Sequence, residues 1–352
     1  MPEFNTLTIS HINAQPDGVT LGFDVPDKLK SDYCFVPGQY LTLRATINNQ
    51  DVRRSYSICS YHRADRLEVG IKRVPDGAFS NHAATLKPGD QLQVMTPEGK
   101  FIASIGGKHN YLLLAAGSGI TPCLSIAQSV LQDEPESCIT LLYGNRNSQS
   151  IMFRQELNDL KDNYNERFML LHVLSRENQD TELFTGRIDA NKIKRLNDSG
   201  LLCANAYDAA YLCGPKEMIE QCSEALTTCG LEKSKIRFEL FFTGSEPPPI
   251  KKKTPTSHTQ HGKPVKIILD GIERTVQVND ETVLVAAQRS GLDLPFSCAG
   301  GMCSTCRCKV ISGKTVMDVN FSLADWEIEA GFTLACQTRA DSENVVLDFD
   351  AS

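Results

Sequence analysis

Residues Pro295–Lys309 read PFSCAGGMCSTCRCK and hold four of the thirteen cysteines in a chain of 352 residues. Three of them follow the spacing Cys298-x4-Cys303-x2-Cys306, and the fourth is Cys308. Small residues fill the gaps: Ala299, Gly300, Gly301, Ser304 and Thr305. Small side chains let backbone N–H groups approach sulfur atoms, where they tune a bound metal group. The stretch therefore predicts a loop that wraps a metal group held by thiolates.

The spacing is typical of the [2Fe–2S] cluster of plant-type ferredoxins, which needs a fourth thiolate further along the chain. Cys336 is the only cysteine after Cys308, so the predicted metal ligands are Cys298, Cys303, Cys306 and Cys336. A structural zinc site and a disulfide set are the alternatives. Zinc sites usually show two Cys-x2-Cys pairs, whereas only Cys303 and Cys306 form one here. Disulfides suit secreted chains, and nothing marks this one as secreted. We expect Cys308 to pack as a small apolar residue on a strand.

The composition is that of a globular protein with several domains. With 352 residues, 41% of them apolar and 22% charged, the chain is too long for one ordinary core, and two to three domains are expected. The longest apolar run, Tyr111–Ala116, is too short to cross a bilayer, and the N-terminus has no signal-peptide pattern. The nine remaining cysteines show no disulfide-like spacing. We therefore expect a cytoplasmic protein with no membrane insertion.

Acidic residues are concentrated in the last quarter of the chain. The net charge is −7, which argues against a general role in nucleic acid binding. Residues 263–352 carry 8 Lys and Arg against 13 Asp and Glu, a net charge of −5. Such an acidic face can steer a redox partner that has a basic patch. A merely solvated surface is the alternative explanation.

Residues 1–106 are predicted to form a small antiparallel β-barrel. Six short alternating runs recur with turn signals between them, and one helical piece, Phe79–Thr85, interrupts the series. The runs are Thr6–His11, Val19–Phe23, Tyr40–Ala45, Arg53–Ile58, Leu67–Arg73 and Gln91–Met95.

Two motifs in this region offer groups that bind a nucleotide. Arg54-Ser55-Tyr56-Ser57 provides an arginine for a pyrophosphate, a tyrosine that can stack on a flat ring, and a hydroxyl that can reach a ring nitrogen. Gly77-Ala78-Phe79-Ser80 places a glycine turn before a helix, where free N–H groups can hold an anion. An exposed strand end and an ordinary capped helix are the alternatives.

Residues 107–243 are predicted to form a doubly wound parallel sheet, because buried runs alternate with helical ones. The predicted strands are Tyr111–Ala116, Ile139–Tyr143, Phe168–Leu174, Ala210–Cys213 and Ile236–Phe242. The predicted helices are a stretch ending near Gln132, then Gln149–Lys161, Asp189–Leu196 and Pro215–Cys229.

Ligands bind such sheets at the carboxyl ends of the strands. Those ends carry Gly117–Pro122, Gly144-Asn145-Arg146, Ser175-Arg176 and Cys213-Gly214-Pro215. The glycine loop lacks the G-x-G-x-x-G fingerprint, so the indication of a dinucleotide comes from glycine-bearing strand ends that occur together with two arginines. Arg146 and Arg176 can take a 2′-phosphate, as arginines do in NADP sites. A surface ion pair is the alternative for each.

Residues 244–262 are rich in Pro, Ser, Thr and Lys and are predicted to be a linker. Residues 263–352 are predicted to form a compact α+β unit around the cysteine loop. Its predicted elements are the hairpin Val265–Leu269 and Thr275–Val278, helix Glu281–Ser290, strand Arg307–Ser312, helix Ser322–Ala330 and strand Val345–Asp348.

The order of the motifs resembles the ferredoxin–NADP reductase superfamily, followed by a plant-type ferredoxin domain of the β-grasp fold. The motifs are Arg54-x-Tyr56-Ser57, Gly77-x-x-Ser80, Gly117-x-Gly119-x-Thr121-Pro122, Tyr143-Gly144-Asn145-Arg146 and Cys213-Gly214-Pro215. Several oxygenase reductases share this layout. The resemblance to the reductase subunits of bacterial phenylacetyl-CoA epoxidases covers essentially the whole chain, including Pro135–Ser137, Leu142–Lys161 and Val345–Asp350. Steroid-hydroxylase and desaturase reductases have the same layout.

The resemblance implies roles for individual residues. Arg54, Tyr56 and Ser57 are expected to hold FAD, with Gly77 and Ser80 at its pyrophosphate and Pro97–Phe101 nearby. The residues expected to hold the nicotinamide dinucleotide are Gly117, Gly119, Thr121, Pro122, Gly144, Asn145, Arg146, Ser175, Arg176, Cys213, Gly214 and Pro215. Ser57, Cys213 and Glu239 are the expected catalytic residues.

The resemblance also bears on cofactor choice and on three phenylalanines. Ser175-Arg176-Glu177 is similar to the stretch that reads the 2′-phosphate in NADPH-specific relatives, so NADPH is expected and NADH is less favoured. For Phe238, Phe241 and Phe242 we expect packing in the core, and a place near the flavin for one of them is the alternative.

The implied function is that of an electron-transfer reductase in phenylacetate catabolism. NADPH gives up two electrons as a hydride and a [2Fe–2S] cluster takes one at a time, so a flavin is needed between them. The expected acceptor is a di-iron oxygenase. The alternatives are a reductase for another oxygenase or a desaturase (steroid, alkane or fatty acyl) and a non-catalytic electron carrier or redox sensor.

Overall fold

The computed structural model describes residues 4–103, 105–241 and 262–351. They form two compact units, the first built almost entirely from residues 4–241 and the second from residues 262–351. Phe242 and the predicted linker, apart from Gly262, lie outside the described residues. The domain boundaries at 106/107 and 243/244 stay predictions.

The first unit begins with an antiparallel barrel, as predicted. Its elements are β1 (Phe4–Gln15), β2 (Gly18–Asp24), β3 (Tyr40–Ile47), β4 (Gln50–Ser57), β5 (Leu67–Lys72), α1 (Ala78–Ala83) and β6 (Gln91–Met95). The strand order is β4-β3-β6-β1-β2-β5, and an antiparallel bridge between Ile58 and Val69 joins the two edges. Closure pairs backbone groups that an open edge leaves exposed. Alternate residues such as Leu7 and Ile9 fill the interior, where each is at most 1% exposed.

The first unit continues with a parallel sheet and its helices. The elements are β7 (Asn110–Ala116), α2 (Ile120–Asp133), β8 (Cys138–Asn145), α3 (Arg154–Asn163), β9 (Phe168–Leu174), α4 (Ala190–Asp198), β10 (Ala209–Gly214), α5 (Lys216–Thr228) and β11 (Ile236–Leu240). The order is β11-β10-β7-β8-β9 and every pair is parallel. Leu113 faces one hydrophobic core and Leu112 the other. A strand buried on both faces needs an unbroken apolar run, which is why β7 reads as one.

The predicted helix Gln149–Lys161 is wrong at its start, because α3 begins at Arg154. A tight turn, Ser148–Ser150, precedes it, and Asn147 Oδ1 accepts a hydrogen bond from the Ser150 N–H at 3.0 Å. Phe153 then adopts φ 55. A non-glycine residue in the left-handed region cannot continue a right-handed helix, so the turn and α3 stay separate.

The second unit is a mixed sheet with two short helices, as the α+β prediction requires. Its elements are β12 (Lys263–Leu269), β13 (Ile272–Val278), α6 (Val283–Arg289), β14 (Arg307–Ser312), β15 (Thr315–Met317), α7 (Asp325–Glu329), β16 (Phe332–Leu334), β17 (Thr338–Ala340) and β18 (Val345–Asp348). The main sheet has the order β13-β12-β18-β14-β16, in which only β12 and β18 pair in parallel. Asp270 and Gly271 form the two-residue turn of the predicted hairpin, and both have a positive φ, as the favoured hairpin turns require.

The sequence did not indicate β15, β16 or β17, because three-residue strands are too short to show alternation. The predicted helix Ser322–Ala330 is also too long, since α7 covers only Asp325–Glu329. Asn320 Oδ1 accepts hydrogen bonds from the N–H groups of Ser322 and Leu323 at 3.1 and 2.8 Å. These bonds hold the preceding residues in a turn. Within the described ranges, no helix has both the length and the apolar character needed to span a membrane.

Candidate functional site

The three predicted catalytic residues lie together in the first unit. Ser57 ends β4 of the barrel, while Cys213 and Glu239 are direct neighbours on β10 and β11 of the parallel sheet. The Ser57 hydroxyl donates a hydrogen bond to Glu239 Oε2 at 3.2 Å. Ser57 is 2% exposed and Cys213 is fully buried. The barrel and the parallel sheet thus meet at a hydroxyl, a carboxyl and a thiol.

Burial sets the protonation of this group. Desolvation raises the pKa of the Glu239 carboxyl to about 7, and the hydrogen bond from Ser57 only partly opposes it. Although Glu239 keeps some surface exposure, its carboxyl group is surrounded by protein. Desolvation, followed by the charge of Glu239, raises the pKa of the Cys213 thiol well above its ordinary value. A neutral thiol therefore lies beside a carboxyl that can hold or release a proton near neutral pH.

The glycine loop between β7 and α2 packs directly against β10. A Cβ atom on Gly119 would lie 2.1 Å from the carbonyl oxygen of Cys213, which no side chain tolerates. Gly117 has φ +54, and its carbonyl accepts a hydrogen bond from the Tyr143 hydroxyl at 2.9 Å. Glycine is required here for close backbone approach and for a left-handed turn. Two further predicted residues, Thr121 and Pro122, are buried in the first turn of α2.

Predicted dinucleotide-binding residues also meet at the ends of β8 and β9. The Arg176 N–H donates to the Arg146 carbonyl at 2.7 Å, and the Ser175 N–H to the Asn145 carbonyl at 2.9 Å. The side chains of Arg146 and Arg176 are exposed. The Glu177 carboxylate fixes the loop by accepting the Ser148 N–H at 2.8 Å. Two cationic residues are therefore adjacent at the carboxyl edge of the sheet.

Asn145 has a buried amide that the described protein leaves without hydrogen bonds. The residue is 8% exposed, and neither amide atom has a hydrogen-bond partner among the described residues. Buried polar groups are nearly always paired, so this amide fits a position where a bound ligand completes the bonding. A Cβ on Gly144 would lie 3.0 Å from Ile188 Cδ1, and one on Gly214 would lie 2.7 Å from Met218 Cε, so each would meet the far end of a flexible side chain. Pro215 caps α5.

The two predicted flavin motifs come together at α1. The Tyr56 ring lies 5.6 Å from the Phe79 ring. The Ser80 hydroxyl accepts the Val74 N–H at 3.1 Å and donates to the Gly77 carbonyl at 3.3 Å, so it closes the turn before the helix. A Cβ on Gly77 would lie 2.6 Å from the Ser80 hydroxyl. The Arg54 side chain is exposed at the same end of β4 as Tyr56.

One residue of this region, Lys72, escaped the sequence predictions, and another, Glu98, was predicted only as part of a segment near FAD. Lys72 ends β5, and its Nζ lies 3.7 Å from the position of a Cβ on Gly117. Desolvation lowers the pKa of Lys72, and the nearby Arg146 adds to the effect while Asp17 opposes it. Glu98 lies in the predicted flavin segment, where desolvation raises its pKa to about 7. Its Oε2 has no hydrogen-bond partner in the part of the chain that the structure describes. The signal for Lys72 was the basic pair at the end of the predicted strand Leu67–Arg73.

The prediction that Phe238 packs in the core is wrong, because the residue is 53% exposed. Phe238 lies on β11, an edge strand of the parallel sheet. Alternate side chains of a strand point to opposite faces, so not every apolar residue of β11 faces the core. Phe241 does pack against the hydrophobic core on one face of the sheet.

The four predicted metal ligands converge in the second unit as two pairs. The thiols of Cys298 and Cys303 are hydrogen-bonded to each other, and so are those of Cys306 and Cys336. Two thiolates per iron are what a [2Fe–2S] cluster requires. The donor set therefore fits the two-iron cluster.

The backbone of the cysteine loop points N–H groups at sulfur. The N–H groups of Gly300 and Met302 each donate to Cys298 Sγ at 3.3 Å. The hydrogen bond from the Cys303 thiol lowers the pKa of Cys298 against the effect of burial, and these backbone donors lower it further. Ala299 adopts a φ of 50° and Ser304 a φ of 57°. Such left-handed conformations cost energy in residues other than glycine. The loop is thus bent so that its donors face a thiolate.

Cys308 is not part of this group. It is fully buried in the core of the second unit, and burial raises the pKa of its thiol. The prediction that it packs as a small apolar residue is confirmed.

Three family models match the chain in the order that the sequence motifs suggest. The oxidoreductase FAD-binding domain matches residues 9–102, the oxidoreductase NAD-binding domain residues 113–224, and the 2Fe-2S iron-sulfur cluster binding domain residues 267–341. The chain is 42% identical over 357 residues to one of the subunits of the 1,2-phenylacetyl-CoA epoxidase of Escherichia coli (strain K12), covering 100% of this chain and 99% of that protein.

More distant relatives have the same layout. The ferredoxin reductase component of the 3-ketosteroid-9-alpha-monooxygenase of Rhodococcus rhodochrous is 30% identical over 355 residues, which are 97% of this chain and 96% of that protein. Phthalate dioxygenase reductase, a solved structure, has a TM-score of 0.59 at 20% identity, with 98% of each chain covered. This last likeness shows the fold alone.

The matches to all three domains and the identity over the full length establish the family. The chain is an oxidoreductase that belongs to the ferredoxin–NADP reductase superfamily, among the oxygenase reductases that bind FAD and a nicotinamide dinucleotide and end in a plant-type [2Fe–2S] ferredoxin domain.

Proposed function

We propose that the chain is the reductase component of a phenylacetyl-CoA epoxidase and passes electrons from NADPH through FAD and a [2Fe–2S] cluster to a di-iron oxygenase. The observation that carries the proposal is the 42% identity to the Escherichia coli epoxidase component over the whole chain. The domain division we propose is 1–106 for FAD, 107–243 for NADP, 244–262 as the linker and 263–352 for the cluster. All thirteen cysteines are free thiols, which supports a place in the reducing cytoplasm.

The residues at the meeting of barrel and sheet are proposed to prepare hydride transfer. When bound, FAD supplies the change from a hydride to single electrons. Tyr56 offers a ring face beside the turn at Gly77, and Gly119 lets the dinucleotide loop approach Cys213. Cys213 is a neutral thiol that would lie near a bound nicotinamide. The Ser57 hydroxyl donates its hydrogen bond to Glu239, and an ionised Glu239 would stabilise positive charge on that ring.

The choice of NADPH rests on Arg146 and Arg176. Their backbones are joined by the 2.7 Å hydrogen bond, and their exposed side chains lie at the carboxyl edge of the sheet. Adjacent guanidinium groups suit a phosphate dianion, which each can bind through two N–H groups. Lys72 adds positive charge close to Arg146. NADH has no phosphate for these groups to bind.

Arg176→Ala tests this choice. A hydrogen bond to a charged group contributes about 1.5–3 kcal/mol, so we expect kcat/KM for NADPH to fall by about tenfold or more while that for NADH changes little. Steady-state reduction of ferricyanide with each cofactor measures both values. Arg195→Ala, on the outer surface of α4, is the matched control and should affect neither. Equal losses for the two cofactors in Arg176→Ala would refute a 2′-phosphate role.

Cys336→Ser tests the cluster ligands. Loss of one thiolate should remove the visible absorbance and the electron paramagnetic resonance signal of the cluster, while NADPH still bleaches the flavin. Cys308→Ser is the control in the same domain. It should keep the cluster and lower the melting temperature, because a hydroxyl replaces a buried thiol. A normal cluster content in Cys336→Ser would remove Cys336 from the ligand set.

Reconstitution tests the acceptor. The chain is mixed with the oxygenase subunits of a phenylacetyl-CoA epoxidase, phenylacetyl-CoA and NADPH, and product is measured by mass spectrometry. We expect epoxide formation that depends on the chain. Product with the oxygenase of a 3-ketosteroid-9-alpha-monooxygenase, and none with the epoxidase subunits, would assign the chain to the other class of relative.

A further inference from the structure

The second unit exposes the one tryptophan of the chain. Trp326 is 61% exposed on one side of α7, and Ile328 is 43% exposed on the other side. Asp325 and Glu329, one helical turn apart, are also exposed and lie between them on the outward face. These four residues form what is called here the α7 surface. Tryptophan is rare on surfaces that meet only water and is enriched where proteins bind one another.

A buried ion pair fixes the α7 surface beside the cysteine loop. Glu327, between Trp326 and Ile328 in sequence, turns inward with a side chain that is 2% exposed and lies 2.9 Å from Arg307 Nε. The Arg307 guanidinium lies 3.5 Å from the centre of the Phe332 ring. Arg307 directly follows Cys306, so α7 is held by the strand that leaves the loop. Breaking a buried pair is costly, which keeps this surface rigid.

Other apolar residues of the unit are also exposed, namely Ile272, Val285, Ile311 and Val316, and Ile272 differs from the α7 surface most clearly in position. Ile272 is 55% exposed, but it belongs to β13 at one edge of the main sheet. β16, which packs against α7, is at the opposite edge and pairs with β14 next to the loop. Only a surface near the cysteine loop can bring an acceptor close to a cluster held there. Ile272 therefore serves as a control with similar exposure and a distant location.

Charge indicates the kind of partner. Asp325 and Glu329 border the apolar residues, and residues 263–352 carry a net charge of −5. The matching partner surface is an apolar pocket rimmed by Lys and Arg, because opposite charges steer encounter and fix orientation.

We propose that the α7 surface is the docking site for the oxygenase, with Trp326 as its apolar anchor and the two neighbouring carboxylates as its charged rim. The proposal rests on the proposed function, since it names the surface that the electron acceptor of that function meets. Each docking event transfers one electron from the reduced cluster to the metal centre of the acceptor, and NADPH restores the reduced state.

The test uses the full-length chain and measures the KM for the epoxidase oxygenase subunits in NADPH-driven turnover. Trp326→Ala should raise this KM by about tenfold, the size of effect seen for central interface anchors. Trp326→Phe should recover most of the loss, and Ile272→Ala should have no effect. Reduction of the cluster by NADPH within the chain should be unchanged in all three variants.

The charged rim has its own readout. Changing Asp325→Asn together with Glu329→Gln should lower kcat/KM for the oxygenase at low salt and flatten its dependence on ionic strength, because two steering charges are lost. An unchanged salt dependence would remove the rim from the proposal.

Two results would overturn the docking site. One is an equal KM for Trp326→Ala and Ile272→Ala; the other is a slower reduction of the cluster by NADPH in Trp326→Ala, which would assign Trp326 to transfer within the chain. If the unaltered chain fails to reduce the epoxidase subunits, the proposed function is wrong. Cytochrome c, a basic protein acceptor, then tests the surface: a raised KM in Trp326→Ala alone supports it, and equal KM values overturn it.

Discussion

The first unit depends on the hydrogen bond from Ser57 to Glu239, which links its barrel to its parallel sheet. It joins the last residue of a barrel strand to an edge strand of the parallel sheet, 182 residues further along the chain. The register of β10 and β11 places Glu239 beside Cys213. The carbonyl oxygen of Cys213 in turn packs against Gly119 of the glycine loop. A shift of one residue in β11 would turn the Glu239 side chain to the other face of the sheet. The barrel, the sheet and the loop are therefore fixed relative to one another by a few close contacts.

A different constraint shapes the second unit. Four thiols must meet in two pairs, and their backbone must turn N–H groups towards sulfur. The loop achieves this with Ala299 and Ser304 in the left-handed region, and Gln337 adds a donor that reaches Cys336 Sγ at 3.7 Å. The same unit holds the buried pair of Arg307 and Glu327, which ties α7 to the strand after the loop. Separate units suit the chemistry, because one handles a hydride and the other handles single electrons.

Local sequence patterns predict most elements of the fold, whereas features that depend on contacts between distant residues could not be predicted. The spacing of Cys298, Cys303 and Cys306 is local and predicts three of the ligands, whereas Cys336 is predicted only because no other cysteine follows Cys308. The unbroken apolar run of β7 predicts a strand buried on both faces. The start of α3 was not readable, because it depends on the left-handed conformation of Phe153. The exposure of Phe238 depends on the edge position of β11. Lys72 approaches Gly117 only through packing between barrel and sheet, a contact that the basic pair Lys72-Arg73 at the strand end does not predict. Ser57 and Glu239 were each expected near the flavin, but the hydrogen bond between them joins residues 182 positions apart, which no local pattern predicts.

In the proposed function, the chain takes a hydride from NADPH and releases single electrons through a two-iron cluster. The most direct measurement is an anaerobic titration of the purified chain with NADPH, with flavin, iron and acid-labile sulfide determined beforehand. We predict one flavin, two irons and two sulfides per chain, bleaching of the flavin, and an electron paramagnetic resonance signal of a reduced [2Fe–2S] cluster. A chain that contains zinc in place of iron and sulfide, or that lacks flavin absorbance, would contradict electron transfer through FAD and a [2Fe–2S] cluster.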